Sequence, residues 1–229
     1  MRYHLAWFLP ELLHAEVPRK AISVDPPSVQ SRRGEEVLDT LEEIVLAQGF
    51  ARLGVTTIAA RTSCSKRTLY ELAPSRDALV QRVLARFFAR IRDEAQAAIA
   101  RCSAPDARVH AYLQAGVRAA ERLSPAAVAD IHGWPPARAI WQDHVRQRVD
   151  GLSRLIEDGI AAGAFRPFPP AFVAEVVFAS INRLREPDFY RSTDLSISAA
   201  FDELYEMLLA ALTSNMRRAR ATATTRAGR

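Results

Sequence analysis

Residues 55–76 read VTTIAARTSCSKRTLYELAPSR, and this stretch restricts the chain more than any other. Val55, Ile58 and Ala59 recur at the spacing of one apolar helix face. A second helix begins after Ser65, whose hydroxyl can accept from a backbone N–H that the first helical turn leaves unpaired. Leu69 is its inward residue, Pro74 stops it, and Ser75 caps the helix that follows. Two short helices joined by a tight turn, the second opening Lys-Arg-Thr, are what a DNA-reading helix-turn-helix requires.

The rest of the chain reads as helix. A first helix is expected over about Arg33 to Gln48, with Val37, Leu41, Ile44 and Val45 inward. Glu35, Glu36, Glu42 and Glu43 fall mostly off that face, and Gly49 can take the left-handed conformation that closes the helix. A fourth helix starts after Ser75, runs to about Ala100 and carries Leu79, Val83, Leu84, Phe87, Phe88 and Ile91. A fifth is expected over Pro105 to Leu123, and a short sixth from Ser124-Pro125 to His132, broken by Gly133, Pro135 and Pro136. The seventh spans about Ala137 to Ala162 with Val145, Val149, Leu152, Ile156 and Ile160 on one stripe. The eighth starts near Pro169, EPDFYRSTD is a loop, and the ninth covers about Leu195 to Leu212. The expected class is therefore all-α: an N-terminal three-helix helix-turn-helix domain plus a C-terminal helical domain, about nine helices in all. The expected division is a flexible arm at 1–30, the helix-turn-helix domain at 31–76, a larger helical body at 77–213, and a basic flexible tail at 214–229.

Charge follows the same division. The net charge is +5. Residues 31–92 carry 11 basic against 7 acidic side chains, whereas residues 93–213 carry 12 basic against 16 acidic. A basic head on an acidic body suits a protein that meets phosphates with one end. Cys64 and Cys102 make neither a disulfide nor a metal framework, so a reducing cytoplasm is the expected setting. Cys64 reads as a small buried hydrophobe in the turn. No apolar run approaches the ~18 residues that span a bilayer, so no membrane partner is expected. The opening MRYHLAWFLPELL is cut by Pro10 and Glu11 and does not read as a signal peptide. Enzymatic function is not expected. The chain has no pair of Glu-x-x-His units for a di-metal site, no glycine-rich phosphate loop and no nucleophile elbow. Neither a metal nor a cofactor is expected.

S-K-R-T-L-Y followed by P-S-R-D-A-L, after G-F and T-I-A, resembles the DNA-binding domain of the tetracycline-repressor (TetR) family of bacterial regulators. The resemblance spans roughly Glu35 to Leu84, and AAGAFRP is similar to the end of the family's long seventh helix. It implies base contacts from Lys66, Arg67 and Thr68 and from Thr56, and phosphate contacts from Tyr70 and Arg76. Arginine can grip guanine through two hydrogen bonds, and a threonine methyl can touch thymine. It also implies a homodimer built on the last two helices, here Phe172, Val173, Val176, Val177, Phe201, Tyr205, Leu208 and Leu212. An effector pocket would lie among helices 4 to 7, with Phe88, Tyr112, His132, Trp134, Trp141 and His144 as candidate lining for a hydrophobic small molecule.

The implied function is a cytoplasmic one-component repressor that binds a palindromic double-stranded operator as a dimer and is released by a small molecule. The sequence departs from the family at Ser63, where glycine is common. It departs again at Glu71 and Leu72, which often are aromatic or basic, and at Ala73, often phenylalanine. These departures keep an alternative open: a helical ligand-binding or adaptor dimer with a degenerate DNA-binding head.

Overall fold

A computed structural model describes residues 32–184, 189, 195 and 199–213. The expected arm at 1–30, the tail at 214–229 and most of the EPDFYRSTD loop lie outside the described residues. Among the described residues there are nine helices and no strand. They are α1 (Arg32–Gln48), α2 (Val55–Arg61), α3 (Lys66–Leu72), α4 (Arg76–Ile99), α5 (Pro105–Glu121), α6 (Pro125–Gly133), α7 (Pro135–Ala161), α8 (Pro170–Leu184) and α9 (199–213).

The boundaries follow from local chemistry. The Ser65 hydroxyl accepts from the Thr68 N–H at 3.0 Å, Ser75 from Ala78 at 3.1 Å and Ser124 from Ala127 at 3.1 Å. Each such cap stabilises its helix by about 1 kcal/mol. Gly49 (φ +79°) and Gly163 (φ +68°) close α1 and α7 in the left-handed region. The seventh helix starts at Pro135 rather than Ala137, because Pro135 and Pro136 fill its first turn instead of breaking it. A first-turn N–H has no intrahelical partner, so proline forfeits nothing there.

Two apolar clusters organise the packing. The first joins α1, α2, α3 and α4 as far as Ile91, and reaches Ala119, Ile131 and Ala137 in the body. The second gathers Ala95 and Ile99 from the end of α4 with residues of α5, α7 and α8, and with Leu208 and Leu212. Helix α4 therefore belongs to both, a rod of about 36 Å at ~1.5 Å per residue.

A polar fastening holds α1 to the body. Glu42 lies off the apolar stripe as expected, yet it is only 1% exposed. Its carboxylate accepts from Arg90 on α4 and, at 2.9 Å, from Arg122 at the end of α5. Arg86 bonds Asp39 at 2.8 Å and Glu35 at 2.7 Å, and Arg90 reaches Asp39 at 3.1 Å. Partial burial works to raise the Asp39 carboxyl pKa, but the hydrogen bonds and charges of Arg86 and Arg90 outweigh it and hold the group below its ordinary value. On the other side, Asp130 of α6 accepts from the backbone N–H groups of Phe50 and Ala51. Phe50 meets Trp134 edge-on, with ring centroids 5.7 Å apart.

Candidate nucleic-acid interface and interior cavity

The turn between α2 and α3 is held by its own backbone and by α1. The Cys64 N–H donates to Ala59 at 3.0 Å, and Ser63 sits at φ +49°. The sequence placed serine where the family favours glycine, and the structure shows why glycine suits: a left-handed residue with a Cβ is strained by roughly 1 kcal/mol. Arg33 donates to the Ser63 carbonyl at 2.8 Å and helps to hold that conformation. Cys64 is half-buried, packs against the first core cluster and lies 3.1 Å from the Thr62 hydroxyl.

This frame presents the start of α3 to solvent. Thr56, Lys66, Arg67 and Tyr70 are exposed, Tyr70 at 52%. Thr68 is half-buried, and its hydroxyl lies 2.9 Å from that of the capping Ser65. The Arg67 Nε donates to Glu71 at 3.1 Å, one turn along the same face. Glu71 therefore partners the cation beside it. Both side chains are mostly exposed, 89% and 63%, so the pair contributes at most ~0.5 kcal/mol and yields readily to a better acceptor.

Arg76 is engaged within the protomer. Its guanidinium donates to the carbonyls of Phe50 and Leu53, the latter at 2.9 Å, and to Asp77 at 2.8 Å. Three of its nitrogens are engaged within the protomer, which ties the start of α4 to the bend after α1. The arginine positions the head from within, while its side chain stays 23% exposed.

In the body, α4, α5, α7 and α8 surround a cavity of about 50 Å³ to a water-sized sphere. Of the six expected lining residues, Phe88, Trp141 and His144 line it. The Phe88 ring stacks on His144 at 4.6 Å and tilts against Trp141 at 5.6 Å. Tyr112 stands behind the wall, His132 borders a separate, smaller hollow with Trp141, and Trp134 packs on Phe50 at the junction with the head. These three do not join the cavity.

The sequence reading missed Arg148, which reaches the same cavity and is 3% exposed. It falls three residues after Val145 and four before Leu152, on the inward stripe of α7, so a cation at a core position was the signal that could have found it. Arg148 NH2 donates to the Tyr112 carbonyl at 2.8 Å, and the Tyr112 hydroxyl donates back to the Arg148 carbonyl at 2.8 Å. The guanidinium carbon lies 3.9 Å from the Tyr112 ring centroid. Burial pushes the guanidinium pKa below its ordinary value, and burial pushes the Tyr112 phenol up.

The expected dimer residues divide into two sets. Phe172 (64% exposed) and Val176 (47%) face outward from α8. Val177, Phe201, Leu208 and Leu212 are buried in the protomer, while Val173 and Tyr205 are half-buried. The four buried residues belong to core clusters of this chain, which corrects their assignment to a surface between copies. Met207, 69% exposed on α9, is the outward apolar residue that the sequence reading passed over.

Among the described residues no cluster of His, Cys, Asp and Glu could hold a metal, and no helix is long and apolar enough to cross a membrane. No family model matches the chain, and no curated protein matches it in sequence. Solved structures do resemble it. A TetR-family transcriptional regulator from Agrobacterium tumefaciens superposes with TM-score 0.61 at 16% identity, covering 79% of this chain and 97% of its own. FadR from Bacillus subtilis, solved with stearoyl-CoA, gives 0.64 at 11% identity, covering 78% and 98%. A protein from Saccharomonospora viridis described as a transcriptional regulator, solved with choline, gives 0.62 at 16% identity, covering 78% and 94%. At these identities the likeness concerns the backbone, and the chain has the all-helical fold of the TetR-family transcriptional regulators.

Proposed function

We propose that this protein is a one-component transcriptional regulator, a homodimer whose heads bind a two-fold-symmetric operator and release it when a small molecule enters the body. The observation that supports this reading best is the outward face of α3, with Lys66, Arg67 and Tyr70 exposed behind a hydrogen-bonded turn. Lys66, Arg67 and Thr68 would reach base edges with Thr56 beside them, and Tyr70 would meet a phosphate. Arg76 holds the head in shape. Repression is the simplest output, because a dimer on a promoter excludes polymerase without further contacts. The protein would work in the cytoplasm, where its operator lies.

Dimerisation would use Phe172 and Val176 of α8 with Met207 of α9, setting two heads one or more helical turns of DNA apart. The neighbours solved with choline and with stearoyl-CoA make a ligand-controlled body a reasonable reading for this fold. The fastening of α1 to α4, α5 and α6 offers the mechanical link. A ligand that parts the body helices would displace α4 and, through Glu42, Asp39 and Asp130, the head.

Glu71 gives little support to a degenerate head, since its bond to Arg67 is exposed and weak. The test is a gel-shift titration of the full chain on its own upstream intergenic DNA with excess random competitor. Arg67→Ala is expected to lose the competitor-resistant complex while keeping weak, salt-sensitive binding. An Arg67→Ala variant that retains the discrimination of the parent overturns the assignment.

A further inference from the structure

Arg148 is a buried cation, 3% exposed. Among the described residues no carboxylate pairs with it, and its NH1 nitrogen is buried with no hydrogen-bond partner. A lone charge in such a place is costly, and a cavity of apolar character offers it no relief. Yet the chain builds space for it. A Cβ on Gly116 of α5 would stand 2.8 Å from Arg148 NH2, and a Cβ on Gly151 of α7 would stand 2.2 Å from the Tyr112 hydroxyl. Each partner of the Arg148–Tyr112 clasp thus lies over a glycine of the facing helix, and each donates to the other's backbone carbonyl. The clasp fixes one edge of the guanidinium, and Arg148 lines the cavity together with Phe88, Leu113, Phe178 and Trp141.

We propose that this cavity is the receptor for a monocarboxylate with an apolar body, its carboxylate seated on the Arg148 guanidinium. The planar guanidinium matches a carboxylate in shape and charge. One cation balances one negative charge, whereas a dianionic head such as a phosphate monoester would leave a net charge among largely apolar walls. The aromatic and aliphatic walls take the body of the acid. The cavity of about 50 Å³ has room for only a few waters, so an acid larger than its headgroup must part α4 from α7 and α8. That movement reaches the head through α4. The inference deepens the ligand-controlled reading of the body, but its test is made without DNA, so a failure of operator binding and a failure of this site are separate results.

The test is calorimetric titration of the full chain with two matched pairs, octanoate against octanol and 3-phenylpropionate against 3-phenylpropanol. At least one acid is expected to bind about tenfold or more tightly than its alcohol, the effect of a charge-assisted hydrogen bond in a largely apolar site. Arg148→Met is expected to abolish the preference while binding of the alcohol stays within about threefold of the parent. Arg148→Gln can still donate to the Tyr112 carbonyl but carries no charge, and it serves if the methionine variant does not fold; the same loss is expected. Equal binding of acid and alcohol in both pairs by the parent overturns the proposal, as does a preference that survives either substitution.

Discussion

Glu42→Ala tests the fastening between head and body. The carboxylate is 1% exposed and accepts from Arg90 and Arg122. A hydrogen bond to a charged group contributes ~1.5–3 kcal/mol, so two would give about 3–6 kcal/mol if both partners were dry. They are not: the Arg90 and Arg122 side chains are 37% and 45% exposed, and once freed they turn to water. Solvation of the released cations, and the relief of no longer burying a carboxylate, offset roughly half. The net loss is about 1.5–3 kcal/mol. For a chain of this size ~1 kcal/mol moves the melting temperature by about 2–4 °C, so a fall of roughly 3–12 °C is expected. Circular dichroism melts at neutral pH read it, with Glu43→Ala as the control one residue away on the exposed side. That control should stay within about 2 °C. A Glu42→Ala melt no lower than the Glu43→Ala melt would refute the reasoning, because it would mean that the buried carboxylate adds nothing to the junction.

Three further outcomes are expected. Ser63→Gly removes a Cβ from a residue at φ +49° and should raise stability by about 0.5–1 kcal/mol in denaturant melts; a loss would show that Ser63 is unstrained there. Because the folded Asp39 carboxyl lies below its ordinary pKa, it adds stability above about pH 4 that is lost as pH falls through the folded value. Asp39→Asn should therefore be less stable at neutral pH and show a shallower acid limb, and an unchanged limb contradicts the assignment. Phe172→Glu with Met207→Glu places charges on the outward faces of α8 and α9, and sedimentation should show a monomer with an unaltered helical spectrum. A dimer that survives both changes places the interface elsewhere.

Helix order and boundaries were legible because caps and stops act within a few residues. Ser65, Ser75 and Ser124 announced three helix starts, and Gly49 one end. The exposed face of α3 was legible for the same reason, since the turn that frames it is local. What periodicity could not show was which partner a side chain meets across the fold. Arg76 carries a surface charge in the sequence, but the carbonyls of Phe50 and Leu53 lie over 20 positions earlier in the chain and capture it. Glu42 reads as a solvated acid until α4 and the end of α5 bring two arginines to it. Aromatic residues were chosen for the cavity by type alone, so Trp134 and His132 were included and Arg148 was passed over. The apolar stripes of α8 and α9 also could not be divided by pattern into protomer core and outer face. Adjacent pairs such as Val176 and Val177, or Met207 and Leu208, take opposite sides.

The most direct test of the regulator reading is selection from a pool of random DNA duplexes by the full-length protein at physiological salt. Enrichment of a two-fold-symmetric sequence, with half-sites one or more helical turns apart and no enrichment by Arg67→Ala, is the expected result. A pool that stays random through successive rounds, while the protein remains folded and dimeric, would contradict it and leave a ligand-binding dimer in its place.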